Sequence, residues 1–177
     1  YAVTCASGTD ALRFALMALN LGPGDEIMTT NFSWISTASC ITMVGATPVF
    51  CDVDLETYHM SIDSIKRMYS DKVKAIVYPH LFGNISDMTE IQNFCEEKNI
   101  KLIEDACQSF GANRNGQYAG TYGDIATLSF NANKPVAGIA GGGAVLLDNK
   151  TQADFVRKLR RHGNNEVLGY NSKMLAI

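Results

Sequence analysis

The chain has 177 residues, of which 46% are hydrophobic and 19% are charged. This length and balance are typical of one globular domain with a sizeable core. The formal net charge is −3 and no long Lys or Arg run occurs, so neither a nucleic acid nor an anionic membrane is expected as a partner. No uninterrupted apolar stretch approaches the roughly 20 residues that span a bilayer.

Five cysteines are spread along the sequence, namely Cys5, Cys40, Cys51, Cys95 and Cys107. Their number is odd, and no two lie close enough together for a typical zinc site. Most lie in or beside apolar runs, where a free thiol behaves as a small hydrophobic side chain. We therefore expect reduced core cysteines, no metal site and a cytoplasmic protein.

Apolar runs of strand length alternate with segments of helical period along the chain. Strands are predicted over residues 1–5, 26–29, 47–51, 73–78, 101–104, 125–130 and 143–147, and helices over 11–19, 35–44, 61–68, 86–94 and 153–160. The alternation predicts an α/β fold with right-handed crossovers and a mostly parallel sheet. Glycine-rich loops separate the last strands, so part of the sheet is expected to be mixed. Such sheets bind ligands beyond the carboxyl ends of their strands.

A phosphate-binding turn is one interpretation of residues 7–10, Ser-Gly-Thr-Asp, between a predicted strand and a predicted helix. Free N–H groups and the helix dipole make such a helix start attractive to phosphate. Gly8 lets the backbone approach a ligand closely, and the Thr9 hydroxyl adds a hydrogen-bonding group. The alternative is a simple N-cap.

Asp105 follows the apolar residues Leu102 and Ile103 and so lies at the carboxyl end of a predicted strand. A carboxylate there can hold a ring nitrogen in its protonated form, which makes the ring an electron sink. The alternative is a structural acid that caps the next turn.

Lys134 follows another strand and is the only charged residue between Ile125 and Leu147. Apolar surroundings favour the neutral, nucleophilic form of an amine. The alternative is a solvated loop lysine. The glycine-rich run 138–143 fits no nucleotide-binding fingerprint, and we interpret it as close packing beside Lys134.

Trp34 and His80 also come shortly after predicted strands. Trp34 is the single tryptophan, and its ring is placed either to stack on a planar cofactor or to fill the core. His80 is either a catalytic histidine or a structural one.

Seven short motifs in this order resemble the DegT/DnrJ/EryC1/StrS family, which aminates keto sugars attached to nucleotides. They lie at residues 7–12, 22–26, 45–54, 80–83, 104–108, 129–134 and 169–171. The resemblance covers essentially the whole chain. It implies the three-layer α/β/α large domain of fold-type I pyridoxal-phosphate enzymes, with a mostly parallel, mixed sheet.

The same resemblance implies a role for each matching residue. Lys134 would bind pyridoxal 5'-phosphate as a Schiff base, and Asp105 would pair with the ring nitrogen. The phosphate would be held by backbone groups of Gly8, Thr9 and Asp10 and by the Ser129 hydroxyl. Gln108 would hydrogen-bond the ring hydroxyl, and Trp34 would stack on the ring. Asn171 would reach the phosphate of a partner subunit. His80 matches a position near the cofactor.

The resemblance further implies a homodimer with shared active sites, an amino-acid donor, glutamate in this family, and a nucleotide-linked keto sugar as acceptor. Other chemistry on the same cofactor and a non-catalytic domain of the same fold stay open as alternatives. The chain looks cut at both ends. Residues 1–163 are expected to form the cofactor-binding large domain, truncated at its N-terminus. Residues 164–177 are expected to begin the connection to a small C-terminal domain that is missing.

Overall fold

The computed structural model describes residues 1–175. The sequence ends in an amphipathic pattern over residues 173–177 that predicts the start of a helix. Residues 173–175 are not helical, so the prediction is wrong for them. The rest of that prediction, Ala176 and Ile177, lies outside the described residues.

Helices and strands alternate along the chain. The helices are α1 (Gly8–Ala18), α2 (Ile35–Met43), α3 (Ile62–Met68), α4 (Thr89–Lys98) and α5 (Lys150–Leu159). The strands are β1 (Ala2–Cys5), β2 (Glu26–Thr30), β3 (Thr47–Cys51), β4 (Val73–Pro79), β5 (Lys101–Asp105), β6 (Asn113–Arg114), β7 (Gln117–Tyr118), β8 (Ile125–Ser129) and β9 (Gly143–Leu147). Short 3-10 turns cover Leu81–Gly83 and His162–Asn165.

Seven strands form one sheet in the order β1-β9-β8-β5-β4-β2-β3. Strands β3, β2, β4, β5 and β8 pair in parallel, and β9 is antiparallel to both β8 and β1. The predicted mostly parallel, mixed sheet is therefore confirmed. Since β1 runs in the same direction as β8, the carboxyl ends of β1, β2, β5 and β8 meet at one edge.

Helices cover both faces of the sheet and give three layers. On one face α1, α2 and α5 pack a core around Phe14, Ile41 and Val156. On the other face α3 and α4 pack a second core around Ile65 and Ile91. Strand residues alternate between the two cores, as Ile27 and its neighbour Met28 do, because successive side chains of a strand point to opposite faces. Neither face of the sheet is therefore left bare.

Side-chain caps set where three helices begin. Ser7, Ser61 and Asn149 each accept a hydrogen bond from the N–H three residues ahead, at the starts of α1, α3 and α5. Such a cap stabilises a helix by about 1 kcal/mol. The cap at Ser7 also fixes the direction in which the first turn of α1 points.

All five cysteines are buried, as expected for core thiols. Burial raises the pKa of Cys5 and Cys95 to about 12 and that of Cys51 to about 11. These thiols therefore stay protonated at neutral pH. Among residues 1–175, no helix combines the length and the apolar character needed to cross a membrane.

Candidate active site

A cavity of about 820 Å³ opens at the edge where the carboxyl ends of β1, β5 and β8 meet the starts of α1 and α2. Most of the residues predicted from the sequence line it, namely Gly8, Thr9, Trp34, Asp105, Gln108, Ser129 and Lys134. They come from positions up to 126 residues apart, which is the separation of Gly8 and Lys134 in the sequence. Its volume lies within the range of about 300–1,000 Å³ that is usual for small-molecule sites.

The N-terminus of α1 points its free N–H groups at the cavity. Gly8 and Thr9 donate no backbone hydrogen bond within residues 1–175. The Thr9 hydroxyl lies 2.7 Å from the hydroxyl of Ser36 on α2, which ties the two helix starts together. Two unpaired donors at a helix N-terminus are suited to bind an anion.

Gly8 is required by close packing. A Cβ atom at this position would lie 2.8 Å from Cβ and 3.0 Å from Oγ of Ser129, and 3.2 Å from Sγ of Cys107. The absence of a side chain therefore lets the helix start approach the end of β8. This contact brings the Ser129 hydroxyl beside the free N–H groups of α1.

Asp10 does not line the cavity. Its N–H donates to the Ser7 hydroxyl at 3.1 Å, and its carboxylate pairs with Arg13 at 2.6 Å and accepts from the Ser172 hydroxyl. The Asp10 N–H, predicted to hold phosphate, is thus occupied by the helix cap, and the side chain is held by Arg13 and Ser172.

Asp105 is 7% exposed and ends β5 at the cavity wall. Its Oδ2 accepts a 2.7 Å hydrogen bond from the hydroxyl of Thr37 on α2, and its Oδ1 accepts from the Cys107 N–H at 3.2 Å. Two fixed donors orient the carboxylate. It can therefore hold a cationic N–H group of a ligand in a defined direction.

Lys134 lies in the loop after β8 and lines the cavity. Its Nζ atom has neither an ion-pair nor a hydrogen-bond partner in the described part of the chain, whereas its backbone N–H donates to the Asn131 carbonyl oxygen at 2.9 Å. The backbone is thus fixed while the amine is free to react.

Two further predicted residues frame the opening. Trp34 is 65% exposed although it lines the cavity, so its ring can cover a planar ligand. Gln108 accepts a 3.0 Å hydrogen bond at Oε1 from the N–H of Phe82, which leaves its amide NH₂ group as a donor toward the cavity.

His80 lies behind the cavity wall. Its side chain is 0% exposed and its Nε2 is 2.8 Å from Oε2 of Glu104, which is equally buried. It does not line the cavity, and the structure brings it only to the backbone of Asp105, whose carbonyl accepts from the His80 N–H at 3.1 Å.

Asn171 also lies away from the cavity of its own chain. It is exposed and forms a bridge with Arg161, while its two neighbours are anchored. Tyr170 packs under the guanidinium of Arg13, 3.8 Å from the ring centroid, and Ser172 is 1% exposed. The segment therefore presents Asn171 outward.

Several residues of the site carry no signal in the sequence pattern. Thr37 and Ser36 contribute hydroxyls from within a helix, and Cys107 lies at the cavity wall beside Gly8. Burial, reinforced by the charge of Asp105, raises the pKa of the Cys107 thiol well above its ordinary value. The spacing of Thr37 three residues after Trp34 is the only local hint that it lies close to the cavity, where it contacts Asp105.

Known proteins are similar to this chain in sequence. It is 42% identical over 98% of its length to the UDP-N-acetyl-3-dehydro-α-D-glucosamine 3-aminotransferase of Acidithiobacillus ferrooxidans, covering 48% of that protein. It is 38% identical over its whole length to the GDP-perosamine synthase of Escherichia coli O157:H7, covering 50% of it. The chain thus spans about half the length of the curated relatives it matches.

A solved structure agrees with the fold. The chain superposes on NtdA from Bacillus subtilis, crystallised with bound cofactor PMP, with a TM-score of 0.89 and 35% identity over 98% of this chain and 41% of that one. The model of the DegT/DnrJ/EryC1/StrS aminotransferase family matches residues 1–177. The chain therefore belongs to the DegT/DnrJ/EryC1/StrS aminotransferase family.

Proposed function

We propose that the full-length protein is a pyridoxal-phosphate-dependent aminotransferase that moves an amino group from an amino acid, glutamate, to a nucleotide-linked keto sugar. The observation that carries the proposal is the meeting of the unpaired Lys134 amine and the oriented Asp105 carboxylate in one cavity. The same cavity holds an anion-binding helix start.

The residues present fit pyridoxal phosphate in three respects. The close approach of Gly8 to Ser129 builds a cradle of two free N–H groups and a hydroxyl, which suits a phosphate. Asp105 is an acceptor of the kind that a protonated ring nitrogen needs. Trp34 offers a flat apolar ring at the opening, and Gln108 offers an amide donor for a ring hydroxyl.

The chemistry divides between the cofactor and the chain. Pyridoxal phosphate, when bound, supplies an electron-poor ring that accepts the electron pair left when a proton leaves the substrate carbon. Asp105 holds a proton at the ring nitrogen and so keeps the ring electron-poor. The Nζ atom of Lys134 would hold the cofactor and would move the proton at the substrate carbon. Trp34 covers the ring and excludes water.

The nucleotide-linked sugar is supported by the relatives. The A. ferrooxidans protein is named for a UDP-linked keto sugar and the E. coli protein for a GDP-linked product. The two names differ in both nucleotide and sugar, so they support the substrate class rather than one member of it. They do not favour the alternatives of another reaction on the same cofactor or of a non-catalytic domain.

We also propose a homodimer with shared active sites. Exposed apolar side chains flank the cavity, among them Trp34 at 65% exposure, Ile35 at 73% and Phe82 at 71%, and a second copy would cover them. Asn171, held outward, would reach the phosphate site of that copy. Residues 1–163 would form the large domain and residues 164–177 the start of the connection to a further domain. Five buried free thiols suit the cytoplasm.

The test uses the full-length protein, its Lys134→Ala variant and a Lys134→Arg variant that keeps the charge. The wild type should bind pyridoxal phosphate with a new visible absorption band and aminate a UDP-, GDP- or dTDP-linked keto sugar with glutamate. Both variants should lose the band and the activity, since neither retains a nucleophilic amine. A wild-type protein without the band would disprove the proposal.

A further inference from the structure

Glu104 and His80 form a buried pair immediately behind the cavity wall. Both side chains are 0% exposed, and His80 Nε2 lies 2.8 Å from Glu104 Oε2. A carboxylate at this depth is tolerated only when its oxygens are well hydrogen bonded. The Glu104 oxygens also accept from three backbone N–H groups of one loop, those of Gly120 at 2.7 Å, Tyr122 at 2.6 Å and Gly123 at 2.7 Å. Glu104 therefore holds that loop at the end of β5.

Glu104 and Asp105 are consecutive on β5, so their side chains point to opposite faces of the sheet. Asp105 faces α2 and the cavity, whereas Glu104 faces the layer that contains Tyr78. His80 contacts both residues. Its ring binds the Glu104 carboxylate, and its backbone N–H donates to the carbonyl of Asp105 at 3.1 Å. His80 thus holds Glu104 through its side chain and Asp105 through its backbone carbonyl group.

The turn that follows His80 reaches a second polar residue of the cavity. The Phe82 N–H donates to Gln108 Oε1 at 3.0 Å, and a Cβ atom on Gly83 would lie 3.1 Å from the Gln108 carbonyl oxygen. Phe82 has a φ angle of 59°, a left-handed conformation that a non-glycine residue keeps only where its surroundings hold it. His80, anchored by Glu104, is the fixed point from which this turn starts.

We infer that His80 and Glu104 are positioning residues for the cofactor ring. They hold Asp105 and Gln108 at the orientation that the ring requires, and they touch neither cofactor nor substrate. The inference rests on the proposed function, since it assigns these two residues to the same ring site.

The experiment measures pyridoxal phosphate binding, the pH midpoint of its visible absorption and the melting temperature of the full-length protein. His80→Leu removes the donor to Glu104, whereas His80→Gln restores an N–H donor. Glu104→Gln keeps the shape of the side chain but replaces an acceptor by a donor, and it serves as the second variant should His80→Leu not fold. Tyr78→Phe is the matched control, because it removes a partly buried 2.8 Å hydrogen bond to Ser86 in the same layer.

His80→Leu and Glu104→Gln should each raise the dissociation constant for pyridoxal phosphate about tenfold and shift the pH midpoint, because Asp105 loses its fixed position. His80→Gln should stay near the wild type. Tyr78→Phe should lower the melting temperature alone. Wild-type binding and pH midpoint in folded His80→Leu or Glu104→Gln would overturn the inference, as would equal shifts in Tyr78→Phe. A wild type without visible absorption would contradict the proposed function instead.

Discussion

The Thr37 hydroxyl donates a 2.7 Å hydrogen bond to Oδ2 of Asp105, and the two side chains are 0% and 7% exposed. A hydroxyl has one hydrogen, so the 3.0 Å contact between Thr37 and Ser33 must use the hydroxyl of Ser33 as donor. A short chain of hydrogen bonds from the start of α2 thus ends on the carboxylate. The orientation of Asp105 therefore depends on a helix that is 68 residues away in the sequence.

Replacing Thr37 by Val should weaken the site while preserving its shape. Asp105 would lose a hydrogen bond to a charged acceptor, worth about 1.5–3 kcal/mol, and the affinity for pyridoxal phosphate should fall about tenfold or more. Titration of the full-length protein with pyridoxal phosphate, followed by absorption, measures the change. Thr37→Ser keeps the hydroxyl and should bind as the wild type does. Equal affinities of the Val and Ser variants would show that this hydrogen bond does not support the site.

Gly8→Ala should open the phosphate cradle. The new methyl group would lie 2.8 Å from Cβ of Ser129, closer than real Cβ contacts occur, so the start of α1 must move away from β8. Overpacking of this kind costs about 1–3 kcal/mol in stability, and the displaced N–H groups should bind phosphate more weakly. Gly22→Ala is the control, since its Cβ would meet nothing closer than 3.4 Å. Melting temperature and cofactor affinity should both fall in Gly8→Ala, and affinity should not change in Gly22→Ala.

Hydrophobic periodicity predicted the main sheet and its covering helices well, but it placed some helix starts wrongly. The helix predicted from residue 86 begins at Thr89, because the Ser86 hydroxyl bonds to Tyr78 instead of capping the helix. Helix α5 was predicted from residue 153, where its apolar residues begin, but it starts at Lys150 because Asn149 caps it. The hairpin of β6 and β7 was missed, since strands of two residues have no detectable period.

The site residues were easiest to predict at the ends of strands and in the loops after them, and hardest to predict within helices. Asp105 and Ser129 end strands, and the topology alone brings such positions to one edge of the sheet. Thr37 meets Asp105 through a helix packed on that edge, which no local spacing encodes. His80 shows that a position after a strand does not always lie in the cavity. It follows a strand, yet its side chain lies on the same face as that of Tyr78, away from the cavity.

Ser172→Ala should loosen the segment that carries Asn171. The Ser172 hydroxyl accepts from the N–H of Ala6 at 3.2 Å and donates to the carboxylate of Asp10, and it is 1% exposed. Its removal takes one partner each from the Ala6 N–H and from the Asp10 carboxylate, which still pairs with Arg13, so the expected cost is about 0.5–1.5 kcal/mol for each lost hydrogen bond. The melting temperature should fall.

The same variant tests the link between the segment and a partner subunit. If Asn171 serves the partner's phosphate site, the affinity of full-length Ser172→Ala for pyridoxal phosphate should decrease together with its stability. Thr29→Val is a suitable control, because it removes a buried 3.1 Å hydrogen bond to Val77 inside the sheet. A matching loss of affinity in the control would rule out a specific effect of the segment.

Stability should fall on mild acidification because of His59. This side chain is 4% exposed, and neither ring nitrogen has a partner among residues 1–175. Burial, helped by the nearby His80, lowers the pKa of His59 below its ordinary value. The unfolded chain therefore takes up the proton first, so stability is full above about pH 6.5 and decreases below it by up to about 1.4 kcal/mol per pH unit. His59→Phe keeps a ring packed edge-on against Tyr78 and should flatten this slope. The test is to measure the denaturant midpoint of the full-length wild type and of His59→Phe across this pH range. If the two midpoints change with pH in the same way, His59 is not the cause.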